Sequence, residues 1–144
     1  MEAEKWLYSP WQVTGAALLG GVLPGLWLIA DNFLVLGNAS KAKTVRIVAI
    51  VVALALVAFA VFGPELRSYT GIGALSAILV RWYATASYGK TYEAHKARGG
   101  AKRPQWQWLV AGLAGLGVTV LALIAVVYGL ASVAPDLLPD RFFE

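Results

Sequence analysis

Long apolar runs without charge alternate with short basic segments along the whole chain. Val13 to Ala30, Ile47 to Pro64 and Trp108 to Ala134 contain no Asp, Glu, Lys or Arg. A membrane-crossing helix needs about 20 predominantly apolar residues, within a range of roughly 17 to 25, and each run meets that length. With their flanks they predict helices over 13–36, 45–62 and 108–134. A fourth apolar segment, Tyr69 to Val80, is shorter and ends at Arg81. A snorkelling Arg81 and the mixed continuation WYATASY lengthen it to a helix over 67–87. Valine and isoleucine are frequent in 45–62, yet a lone segment in lipid satisfies its own backbone only as a helix.

Local signals mark the ends of these elements. In SPWQ, Ser9 is placed as N-cap, Pro10 at the first helical position and Gln12 where a capping box takes Glu or Gln. Trp6, Tyr8 and Trp11 flank the first run, Trp106 and Trp108 open the last, and Tyr128 approaches its far end. Amphipathic rings at such positions anchor at lipid headgroups. Gly37-Asn38 closes the first helix, Gly63-Pro64 the second, and Pro135 with Pro139 stops the last.

Composition agrees with the pattern. The 144 residues are 59% hydrophobic and only 14% charged, against roughly 25% charged in soluble domains. The charges also set an orientation. Lys41, Lys43 and Arg46 follow the first run, and the stretch from Arg81 to Arg103, both included, holds six Lys or Arg against the single acid Glu93. Both loops are expected to be cytoplasmic by the positive-inside rule, which requires the short third helix to cross. The acidic tail residues Asp136, Asp140 and Glu144 fit the opposite side. The expected fold is an all-α integral membrane protein: one membrane domain over 1–144, a compact bundle of four transmembrane helices with a short third span and both termini outside. The N-terminus MEAEKWLYSPW holds one base among its first acids and does not read as a signal peptide, so the first span is expected to be retained.

Within the spans, small and polar residues are the candidates for packing and function. Ala17, Gly21 and Gly25 recur every four residues, as do Gly73 and Ala77 and then Ala111 and Gly115. Such stripes let helices approach closely in lipid. Pro24 beside the first stripe predicts a bend at the Gly20 carbonyl; a broken helix lining a substrate site is the alternative. Asp31 is the only acid inside a span, with Asn32 next to it. Intramembrane charge needs a partner, and Arg81, at a similar depth on the third helix, is the expected one. Proton or cation coupling at Asp31 and simple hydration near the interface are the other readings.

The stretch 81–105 interleaves Trp82, Tyr83, Tyr88 and Tyr92 with Lys90, Lys96, Arg98, Lys102 and Arg103. It predicts a cytoplasmic amphipathic segment lying on anionic lipid; nucleic acid, which also suits basic-aromatic mixtures, is not the expected partner. There is no cysteine, and the lone His95 makes neither a metal site nor a triad. No catalytic residue, cofactor or metal is expected.

The stretch SPWQVTGAALLGGVLPGLWLIADNFLVLGNASKA resembles the opening of small bacterial inner-membrane proteins whose first helix reads roughly G-G-P-x-x-G-x-x-L-x-x-x-N-[FY]-x-x-L-G. The match falls on Gly20, Gly21, Gly25, Leu28, Asn32, Phe33, Leu36 and Gly37; Val22 stands where the pattern has proline, with Pro24 nearby. The resemblance implies a bacterial inner membrane and names no activity. The expected function is non-enzymatic binding of a protein partner, as an accessory subunit or an immunity-type protective protein. A minimal ion-coupled transporter or channel working as a dimer is the alternative.

Overall fold

The computed structural model describes residues 6–63 and 70–138. These are helical almost throughout: α1 (Pro10–Gly20), α2 (Val22–Val35), α3 (Ala39–Phe62), α4 (Thr70–Ala84), a π-helical turn (Thr85–Gly89), α5 (Lys90–Ala97) and α6 (Gln105–Val133). Among the described residues two helices, α3 and α6, are long and apolar enough to cross a membrane, with mean hydropathy of 2.9 and 2.6. The parts of the expected third span and acidic tail at 67–69 and 139–144 lie outside the described residues.

The largest departure from expectation lies in 13–36. This run is not one bent helix but two helices folded back on each other. Gly21 adopts φ 80 and ψ −166, a region essentially reserved for glycine, and reverses the chain there. On either side of it Ala17 and Gly25 face each other; a Cβ on Gly25 would lie 2.7 Å from that of Ala17. At the open end the Tyr8 backbone meets Asn32. Contacts both near the turn and at the open end define an antiparallel hairpin. Pro24 then sits in the first turn of α2, where its missing N–H costs no helical bond. The proline begins a helix instead of kinking one.

The capping box at Ser9 forms: the Ser9 hydroxyl accepts from the Gln12 N–H, and the Gln12 side chain accepts from the Ser9 N–H. A three-residue connection, Leu36 to Asn38, joins α2 to α3, and the Asn38 side chain caps α3 by accepting from the Lys41 N–H. Lys41, Lys43 and Arg46 therefore lie on the first turns of α3 and not in a loop. The basic segment after Arg81 is likewise not a separate helix laid across the bundle. The backbone stays helical through Ala84, Gly89 and Lys90, so α4, the π-turn and α5 form one continuous rod.

α1 is the centre of the fold, packed against α2, α4 and α6. Its partner α6 runs alongside in the same direction: Gln12 bonds to Arg103, Gly15 meets the Trp108 ring, and Gly112 packs on Ala16 and Leu19. Beyond the hairpin turn, marked by Pro24 against Gly115, α6 continues for more than a dozen residues with little covering it. Val118, Leu121, Ile124, Tyr128 and Val133 are all exposed there. The core lies around the hairpin and includes Val13, Ala17, Ile29, Ala30, Ala77, Val80 and Ala84.

The hairpin also corrects the placement of the chain ends. Leu7 pairs with Lys102 in an isolated bridge just before α6 begins, whereas Leu138 follows the end of α6. The two described ends therefore sit at opposite ends of the bundle, not on one side as four crossings would require.

Candidate functional site

Most of the polar chemistry gathers at the end of the bundle where residues 6–12, 31–46 and 81–107 meet. It divides into an amide clamp, an ion pair and a cationic cavity.

The amide clamp holds the hairpin shut. Asn32, 1% exposed, accepts from the Tyr8 N–H at 2.8 Å and donates to the Tyr8 carbonyl at 2.9 Å. Both polar atoms of the Tyr8 backbone are thereby satisfied by one side chain. The strap before α1 is also tied to the connection before α6: Arg103 N–H donates to the Leu7 carbonyl at 3.1 Å, and Gln12 Nε2 donates to the Arg103 carbonyl at 2.8 Å. Below the clamp the π-turn buries Tyr88, whose ring meets Phe33 edge-on with centroids 6.4 Å apart. Its hydroxyl lies beside Asn32 but completes no hydrogen bond. Burial holds that hydroxyl protonated well above the usual tyrosine range.

The expected partnership between Asp31 and Arg81 does not form. Asp31 accepts instead from Arg46 at 2.8 Å, and the Arg46 guanidinium lies 5.0 Å from the centre of the Trp27 ring. The cause is the short connection between α2 and α3. Residues equidistant from Asn38 on two antiparallel helices fall opposite one another; Asp31 stands seven before it and Arg46 eight after, which brings the two within reach. Arg81 stacks on Trp11, with its guanidinium carbon 3.5 Å from the ring centre. Both side chains of the Asp31–Arg46 pair are about a third exposed, 32% and 35%; this is a pair at the edge of the protein, not a desolvated one.

The small residues divide in a similar way. Ala17 and Gly25 meet across the hairpin, and Gly115 packs on Pro24. Ala77 is buried and Ala111 partly so. Among the described residues a Cβ on Gly21 or Gly73 would meet nothing within 4 Å; Gly21 serves the turn, and Gly73 is no contact point there. Of the surface bases, Lys90, Lys96, Arg98 and Lys102 are exposed, while Arg103 is half-buried over Tyr8, 5.2 Å from the ring centre. His95 is half-buried with Nε2 at 3.1 Å from the Ala101 carbonyl.

A cavity of about 400 Å³ opens between the start of α1, the π-turn and α5. Arg81, Lys96 and Lys102 supply its positive charge, Glu93 its only acid, and Trp11 and Tyr92 its aromatic walls. A second hollow of about 450 Å³ lies beneath the hairpin turn between α3 and α4, lined by Val22, Leu26, Val52, Leu56, Leu75 and Leu79 among others. It is almost wholly apolar.

The chain matches no known protein family, no curated protein and no solved structure.

Proposed function

We propose that this chain is an integral protein of a bacterial cytoplasmic membrane that acts by binding a protein partner, as an accessory subunit or an immunity-type protective protein, and not by catalysis. In this reading α3, α6 and the rod begun by α4 cross the bilayer. The α1–α2 hairpin enters from the basic side and returns to it. At 1.5 Å per residue α1 and α2 reach only about 16 and 21 Å, short of a hydrocarbon core of about 30 Å. Exposed Trp106 and Tyr128 on α6 are separated by about 33 Å on the same rise, matching the distance between two aromatic belts. The basic end is cytoplasmic, so residues 6–8 are inside and the end of α6 is outside.

The observation that carries the binding reading over ion coupling is the Asp31–Arg46 pair at 2.8 Å. The one acid of residues 13–36 is spent on a neighbour, near the membrane edge. The break at Gly21 favours the second reading, a dimeric transporter or channel, because such proteins place discontinuous helix ends at their substrate sites.

Reconstitution separates the two. In proteoliposomes the binding reading predicts no flux of protons or alkali cations driven by a pH gradient, and a defined partner cross-linked to the chain in native membranes. Flux that Asp31→Asn abolishes while the variant folds normally would give the second reading the case.

A further inference from the structure

We propose that the cavity between α1, the π-turn and α5 is a binding site for a phosphate-bearing anion, with Arg81 as its central ligand. The proposal rests on the membrane reading above for the source of that anion, an acidic glycerophospholipid.

Arg81 is half-buried, one helical turn before the π-turn, and Trp11 covers one face of its guanidinium. Stacking fixes the plane of the fork but satisfies none of its N–H donors, which lie at the edge of that plane. Among the described residues Arg81 makes no hydrogen bond or ion pair with a protein oxygen, and neither do the Lys96 and Lys102 ammonium groups. A pre-oriented arginine fork with open donors suits a phosphate oxygen pair. Lys96 and Lys102 are exposed at the mouth and add point charges; Glu93 offsets one of the three.

The backbone is shaped for the site as well. The π-turn is an interruption of the kind often found at functional positions, and it directs Thr85 and Gly89 to the cavity wall. Gly89 brings no side chain there, so the wall stays open.

Position distinguishes a lipid from free phosphate. Running away from the basic end, the next exposed residues on the same faces are Leu18, seven after Trp11, and Ile78, three before Arg81. They are 63% and 62% exposed. A headgroup held at Arg81 would lay its acyl chains along these two residues. A soluble anion would leave them bare. Basic pockets between membrane helices on the cytoplasmic side hold acidic headgroups in this manner.

The test uses the full chain in detergent, with lipid retention read by native mass spectrometry against added phosphatidylglycerol and phosphatidylcholine. Wild type should retain phosphatidylglycerol in preference to phosphatidylcholine, and Arg81→Gln should weaken that retention about tenfold or more, the loss of hydrogen bonds to a charged group. Lys90→Gln, which removes the same charge outside the cavity, should leave it unchanged. The rim double variant Lys96→Gln/Lys102→Gln, altered only at exposed positions, should weaken it too and keeps the test open if Arg81→Gln folds poorly. Inorganic phosphate forms a separate arm by calorimetry. Saturable phosphate binding lost in Arg81→Gln, without preference for phosphatidylglycerol, would support the anion site and assign it a soluble source. Equal loss in Arg81→Gln and Lys90→Gln, or equal retention of the two lipids with no phosphate binding, would overturn the site. Alkaline extraction of native membranes tests the membrane reading independently of either result.

Discussion

Replacing Asn32 by leucine tests the clamp that closes the hairpin. The change keeps the approximate volume of a side chain that is 1% exposed, so cavity formation adds little. It removes two hydrogen bonds, at 2.8 and 2.9 Å, to the backbone of Tyr8. A made bond is worth only about 1 kcal/mol net, but leaving a buried partner unsatisfied costs about 1 to 3 kcal/mol instead. Tyr8 is only 7% exposed, and both its N–H and its C=O lose their partner. The expected cost is therefore about 2 to 6 kcal/mol, reduced to the extent that water reaches the strap. Reversible unfolding in mixed detergent micelles gives the overall change. Hydrogen exchange localises it: the N–H groups of Tyr8 and Arg103 should lose protection together, because Arg103 N–H donates to the neighbouring Leu7 carbonyl. A change below about 0.5 kcal/mol, the range of neutral surface substitutions, would refute the reasoning.

Three further outcomes follow from the same geometry. Gly21→Ala should destabilise by about 1 to 3 kcal/mol through backbone strain alone, since only glycine readily takes that conformation; Gly117→Ala, where a Cβ meets nothing within 4 Å, should be silent in the same unfolding assay. Asp31→Ala and Arg46→Ala should each cost less than Asn32→Leu, with a double-mutant coupling of about 0.2 to 1 kcal/mol, because both side chains are about a third exposed. Stability should fall as pH rises above about 10, the ordinary tyrosine value, because the raised pKa of Tyr88 lets the unfolded chain lose its proton first; Tyr88→Phe should reduce that alkaline loss in a pH series of unfolding midpoints.

Much of the helical content was legible in the sequence. α3 and α6 follow from unbroken apolar runs, and the start of α1 follows from the Ser9–Gln12 capping box. The hairpin was not, because hydropathy is blind to direction: an apolar run of this length scores alike whether it crosses a bilayer or folds on itself. The decisive signals were Gly20-Gly21 followed by Pro24. A proline three residues past a glycine can occupy the first turn of a new helix as well as kink an old one, and only the packing of Gly20 and Gly115 around that turn separates the two. The partner of Asp31 was within reach. The short Gly37-Asn38 connection places residues in mirrored register, and Arg46 is the base that register offers. Arg81 was singled out for its depth, but its partner Trp11 was read only as a lipid anchor. The strap of residues 6–8 carries no local signal of pairing with 101–103, since backbone bonds between distant segments leave no pattern in side chains.

The central claim is that the first apolar run enters and leaves the membrane on the same side. The chain has no cysteine, so single cysteines report without background. Trp6→Cys and Ser132→Cys, both at exposed positions, would be treated in intact cells with a membrane-impermeant thiol reagent, before and after permeabilisation. The account predicts that Ser132→Cys labels from outside at once and that Trp6→Cys labels only once the membrane is opened. Labelling of both from outside would restore a full crossing by residues 13–36 and contradict the hairpin.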